Sequence, residues 1–189
     1  MLAAPRVPPG RYQVQLTVGG QTLTQPFQIV KDPRVGASDA ELREAYELSK
    51  RTHDLLGRIH GAVLVLRDVR AQAAAIAGRV ESPAIADAAK SLQHTLTAIE
   101  EELVQVRSAD PRMFPSKLNT RVATLVVLIE YSDAAPTVAL RELFESLSAR
   151  AESELAKLDR CLGDELATFN TLCRDGVVPA IAPRRSPVS

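Results

Sequence analysis

Apolar residues alternate with polar ones through Tyr12, Val14, Leu16 and Val18, with Arg11, Gln13, Gln15 and Thr17 between them. A period of two marks a strand with one buried face. Gly19-Gly20 comes next, and a second run then presents Leu23, Phe27 and Ile29. Two glycines between two such runs predict a β-hairpin closed by a two-residue turn. Pairing Val18 with Gln21 sets Leu16 opposite Leu23 and Tyr12 opposite Phe27. One face is then apolar, formed by Tyr12, Val14, Leu16, Leu23 and Phe27, and the other is polar. Two strands alone are marginal in water, so this face is a candidate interaction surface.

Beyond Val30-Lys31-Asp32-Pro33-Arg34 the period lengthens to between three and four. Ser38-Asp39-Ala40-Glu41 has capping-box spacing and predicts a first helix over about 38–80, ended by Gly78 and Pro83. Its stripe runs Leu42, Ala45, Ser49, Thr52, Leu56, Ile59, Val63 and Leu66, beside a second row of Leu48, Leu55, Ala62, Val69 and Ile76. A face this wide suits a bundle better than a two-stranded coiled coil. The second helix, about 82–107, starts at Ser82-Pro83 and turns Ile85, Ala89, Leu92, Leu96, Ile99, Leu103 and Val106 inward, with Asp110-Pro111 closing it. The third, about 116–132, carries Leu118, Val122, Leu125 and Ile129. Thr137 caps the fourth, about 137–175, where Leu140, Ala151, Leu162 and Cys173 recur every eleven residues. That period predicts a nearly straight rod.

The expected fold is mainly α: an elongated antiparallel four-helix bundle with two long helices, preceded by an N-terminal β-hairpin. Residues 1–34 form the hairpin unit, 35–176 the helical bundle and 177–189 a flexible tail. Short connections predict antiparallel neighbours, including the first and fourth helices along most of their length. They also predict a two-helix stalk of residues about 38–54 and 160–175, from which hairpin and tail both emerge.

Composition narrows the chemistry. The 189 residues carry 23 basic and 23 acidic side chains, so nothing pulls the chain toward nucleic acid. No apolar run reaches the ~18 residues of a spanning helix, and no basic amphipathic face suggests a membrane surface. MLAAPRVPPGRY lacks the basic and long apolar regions of a signal peptide. Cys161 and Cys173 stand twelve residues apart in one predicted helix, roughly 18 Å, which excludes a disulfide and points to idle buried thiols. His53 and His60 are two turns apart and His94 is alone, so none has metal-ligand spacing, and rim positions are expected. Glu100-Glu101-Glu102 reads as a solvated face. No catalytic residue, metal or cofactor is expected.

Two features carry structural alternatives. Arg70 falls at a heptad position, where it forms a structural ion pair with a candidate partner in Glu130, reaches solvent at the core's end, or serves binding. Gly57 and Gly61 form a GxxxG on the first helix, explained by close approach of another backbone or by simple tolerance.

PPGRYQVQLTVGGQTLTQPFQIVKDPRV resembles the last two strands of an Ig-like domain attached to bacterial secreted β-propellers. These are the BNR-repeat, sortilin-like (VPS10-type) proteins, glycosyl-hydrolase-like or sialidase-like in name. LRDVRAQ at 66–72, LNTRVATL at 118–125 and YSDAAPT at 131–137 are similar to their helical C-terminal region. The resemblance implies that the hairpin is the remnant of a sandwich and that the chain is a C-terminal region without its propeller, periplasmic or extracellular. The expected function is a non-enzymatic structural or protein-interaction module, whose partner is a protein, the upstream propeller or a second copy in a homodimer. The alternative is an accessory part of a glycoside-hydrolase-like or peptidase-associated enzyme whose catalytic propeller lies elsewhere.

Overall fold

A computed structural model of the chain describes residues 4–106, 114–176 and 178–183. The alternating runs form strands β1 (Gly10–Val18) and β2 (Gln21–Ile29), antiparallel, with Val18 opposite Gln21, Leu16 opposite Leu23 and Tyr12 opposite Phe27. Gly19 and Gly20 both have positive φ, which the two-residue turn requires and side chains disfavour. Neither strand packs along a helix. The hairpin is tied to the helical body through its flanking segment: Arg6 pairs with Asp133 at 3.1 Å and donates to the Glu130 carbonyl.

The helical region holds α1 (Asp39–Ala77), α2 (Pro83–Leu103), α3 (Leu118–Glu130), α4 (Val138–Gly163) and α5 (Glu165–Asp175). The expected capping box forms: Ser38 N–H donates to Glu41 Oε2 at 2.7 Å, and Glu41 N–H donates to Ser38 Oγ. Thr137 Oγ1 accepts from Leu140 N–H at the start of α4. Ser82 makes no side-chain cap bond, so α2 starts on Pro83 alone. α2 ends at Leu103, with Val104 already extended, about one turn short of the expected 107, and Asp110-Pro111 lies outside the described residues.

The fourth rod bends, contrary to the straight helix its eleven-residue repeat predicts. Gly163, a poor helix former, ends α4, and Asp164 (φ −106°, ψ −64°) tilts the chain into α5. Hydrogen bonds bracket the bend, from Asp164 N–H to Arg160 O at 2.8 Å and from Thr168 N–H to Asp164 O at 2.9 Å. Past it, α5 packs on α2 and not on α1, with Thr95 Oγ1 donating to Glu165 Oε2 at 3.0 Å.

Helix directions also differ from expectation. Arg51 pairs with Glu145, Arg58 with Glu152, and Glu44 with Arg141. Partner numbers rise together along both helices, so α1 and α4 run parallel, not antiparallel. α2 runs back along α1, as Arg67 and Arg70 meeting Glu100 and Arg70 reaching Thr97 show. α3 also runs back along α1, bringing Glu130 to Ser49. α2 and α3 barely touch except where they follow one another, where Lys117 meets Glu102 at 3.3 Å. A cross-section therefore meets three helices rather than four: α1, α4 or α5, and whichever of α2 and α3 lies at that level. The expected stalk is absent, because α3 covers the start of α1 and α2 covers α5.

The stripes read from periodicity form the core. Ile59, Leu66, Leu92, Leu96, Leu103, Val122, Leu147 and Phe169 are fully buried. Val106 departs from its stripe and is exposed. Within the tail expected over 177–189, the described residues 178–183 dock on α5. Ile181 is buried, and its backbone N–H and C=O are both held by the Asn170 amide at 2.7 and 2.9 Å. This end of the molecule lies far from the hairpin, since the two parallel rods place the start of α1 and the end of α5 at opposite ends.

Parallel packing has a direct check. Glu44→Ala and Arg141→Ala are expected to couple by roughly 0.2–1 kcal/mol in a double-mutant cycle of denaturant melts. An antiparallel pair would set Glu44 near Glu165 instead, and the coupling would then be absent.

Candidate functional site

Glu100 was expected on a solvated face, yet it is only 2% exposed. It stands four residues beyond Leu96 and three before Leu103, on the buried side of α2. A buried carboxylate needs partners, and Arg67 Nε and Arg70 supply them at 2.5 Å each from α1. Arg70 thus enters an ion pair, but its partner is Glu100 and not Glu130. The reason is direction: α2 runs beside Arg70, whereas α3 has carried Glu130 down to the first turns of α1. There Glu130 accepts from Ser49 Oγ at 2.6 Å, and His53 Nε2 lies 3.6 Å away without a hydrogen-bond partner. Ser49 and Thr52, polar residues on an apolar stripe, are accommodated because each has an acceptor; Thr52 Oγ1 donates to Leu48 O.

Among the concavities that the described residues line, three hold charged or reactive side chains. The first, about 240 Å³, lies where the hairpin's flanking segments meet α1 and α3, and includes Arg6, Lys31, Tyr46, Ser49, Glu130 and Asp133. Its charged groups already have partners, since Arg6 pairs with Asp133, Lys31 donates to Ala37 O and Glu130 accepts from Ser49. The second is a shallow cleft holding His94, Cys161 and Glu165, residue types that could suit nucleophilic catalysis. The electrostatics oppose that use. Burial, reinforced by the charge and hydrogen bond of Glu165, pushes the Cys161 thiol up to about 11, whereas a nucleophile needs a lowered value. Burial also raises Cys173. The third cleft, between Glu102, Lys117, Arg121 and Arg150, joins α2 to α3. Among the described residues no three His, Cys, Asp or Glu side chains are grouped to hold a metal, and His60 and His94 are exposed. No described helix is long and apolar enough to cross a membrane.

The hairpin is different in kind. Val14, Leu16, Leu23 and Phe27 are 54, 59, 70 and 45% exposed, and Val18 is exposed beside them. Tyr12 is half-buried: it donates to Pro8 O at 2.6 Å, and its ring lies 5.8 Å from that of Phe27. The five residues expected on the apolar face share one side of the ribbon, with Val14, Leu16, Leu23 and Phe27 exposed and Tyr12 partly covered. Further exposed apolar residues, unforeseen in the sequence, lie on the outer side of α3 and at its C-cap: Val127, Leu128 and Tyr131. Their signal was the run Leu125 to Ile129, apolar around the whole helix rather than on one stripe. No protein-family model matches this chain, and neither a curated protein nor a solved structure matches it.

Gly57 sits inside α1 with open space where a Cβ would be, so no neighbouring backbone requires a glycine. Gly57→Ala is expected to raise stability by about 0.5–1 kcal/mol in denaturant melts. The Cys161 thiol gives a pH prediction. The unfolded thiol ionises near its ordinary 9.0 and the folded one near 11. The folded state thus holds the extra proton between those values, and stability falls as pH rises from about 9 to 11. Cys161→Ala is expected to flatten this decline in melts taken across that range.

Proposed function

We propose that this chain is a non-enzymatic helical module for protein interaction, the C-terminal accessory region of a secreted β-propeller protein, in which an elongated bundle carries the hairpin to its partner. One observation carries the interaction reading: an apolar face built at strand spacing stands exposed on a ribbon that packs along no helix. A two-stranded ribbon does not keep such a face in water at no cost. The propeller context is supported by the likeness of residues 8–35 to the closing strands of an Ig-like domain and by the three helical segments similar to that family. Periplasmic or extracellular placement belongs to the same reading. The absence of catalysis is supported by the chemistry of the clefts: the Cys161 thiol is held protonated, and in the 240 Å³ cavity Arg6, Lys31 and Glu130 each already have a hydrogen-bond or ion-pair partner.

The test is a variant beginning at Asp32. It is expected to keep the helical circular dichroism and melting midpoint of the full chain while binding much less of an apolar fluorescent dye. A loss of more than about 1 kcal/mol in helical stability would make the hairpin part of the helical core and overturn the reading. The full chain is further expected to turn over no generic glycoside or peptide substrate.

A further inference from the structure

Cys173 stands in the last turn of α5, yet none of its surface is exposed. Helix ends are where fraying and solvent access concentrate, so this thiol needs a cover. The helices supply only part of one. α5 packs on α2 and meets α4 at the bend, but it touches neither α1 nor α3. Its remaining side is closed by the chain that follows it.

Residues 178–183 form that closure. Val178 N–H donates to Cys173 O at 2.8 Å, and the Asn170 amide grips both backbone groups of Ile181. The chain therefore doubles back beyond Gly176 and runs along α5 against its direction, from the level of Cys173 to that of Asn170. These two residues are three apart and share a helix face. Phe169, four before Cys173, lies on the same stripe and is also fully buried. A Cβ on Gly176 would lie 3.4 Å from Ile85 Cδ1, so the reversal rests against the first turn of α2.

The hold on this segment is slight. Ile181 is its one fully buried side chain, Val178 and Pro183 are half-buried, and Pro179, Ala180 and Ala182 are exposed. None of the six residues is charged, and the two prolines have no N–H to donate. One aliphatic anchor and a two-way amide clamp are thus set against the entropy of ordering six residues. The body of α5 is held differently, by Leu166, Phe169 and Cys173 in the continuous core. The prolines also keep the released segment extended, which lowers the entropy lost each time it reseats. We propose that residues 178–183 form a strap that lifts from α5 as a unit while the helices stay folded, that Asn170 is its latch, and that lifting uncovers the Cys173 thiol. Closed, the strap keeps that thiol buried, which pushes its ionisation above the ordinary value and holds it inert.

The two cysteines make the strap measurable. Iodoacetamide labelling of the full chain under native conditions, followed by peptide mass spectrometry, reads Cys173 and Cys161 separately. Cys161 is buried twelve residues earlier, away from the strap, and reports opening of the helices. Asn170→Ala is expected to speed labelling of Cys173 at least about tenfold, with Cys161 within about twofold of wild type and helical circular dichroism unchanged. Ile181→Ser is expected to do the same. The two together are expected to exceed the faster single variant by no more than about twofold, because either one frees the same strap. Acceleration at both cysteines makes the strap part of the helical core and overturns the proposal. An unchanged Cys173 in both variants gives its cover to something else and overturns it equally. The wild-type chain supplies a check that needs no substitution. Lifting the strap exposes little surface, so labelling of Cys173 is expected to rise less steeply with dilute urea than that of Cys161. Equal slopes mean that both thiols open only with the helices, and the strap does not lift on its own.

Discussion

Two short helices laid end to end in one direction share a groove between two long rods, and the rest of the architecture follows from that arrangement. α1 spans roughly 58 Å, which neither the 21 residues of α2 nor the 13 of α3 can cover alone. Because α2 and α3 both run back along α1, only the connections 78–82 and 131–137 reverse the chain. The last rod must then travel parallel to the first. Each short helix is fixed to α1 by one acidic residue: Glu100 by Arg67 and Arg70, and Glu130 by Ser49. Breaking a buried ion pair leaves an uncompensated charge, so these contacts discriminate strongly against a slipped register even where their net stabilisation is small.

The same arrangement separates the two ends of the molecule. At one end α5, Asn170 and Ile181 close the core, with the backbone of the final turn satisfied by a side-chain amide. At the other end the hairpin's flanking segment is clamped through Arg6 to Asp133 and to the α3 carboxy terminus, leaving the ribbon itself free of the helices. The outer side of α3, with Val127, Leu128 and Tyr131, faces solvent at this same end. Exposed large apolar residues are most numerous at this end, while Leu64, Val106 and Phe114 are exposed elsewhere on the bundle.

Much of this was legible in the sequence because it depends on local spacing. Alternation and the Gly-Gly turn determined the hairpin and its register, since a one-residue slip would put every apolar side chain on the wrong face. Heptad and eleven-residue stripes identified the buried positions of each helix, down to Ile59, Leu96 and Phe169. The five residues of the candidate face were readable for the same reason. Two local details escaped this reading: the bend at Asp164, where one glycine outweighed a regular repeat, and the burial of Glu100, a charge that reads as solvated until two arginines are known to face it.

What the sequence determined alone, then, was the identity of each element and the side it buries. Only the tertiary structure decided how those sides meet. A stripe of leucines packs equally well against a parallel or an antiparallel neighbour, because hydrophobic burial has no direction along the helix axis. Direction was decided by the route of the chain between α2 and α3 and by pairs far apart in sequence, such as Arg58 with Glu152 and Arg70 with Glu100. Whether the hairpin's face was covered was likewise a question of position, not pattern: the same alternation describes a strand in a sandwich and one in water, and the fold leaves this one exposed because no helix reaches it.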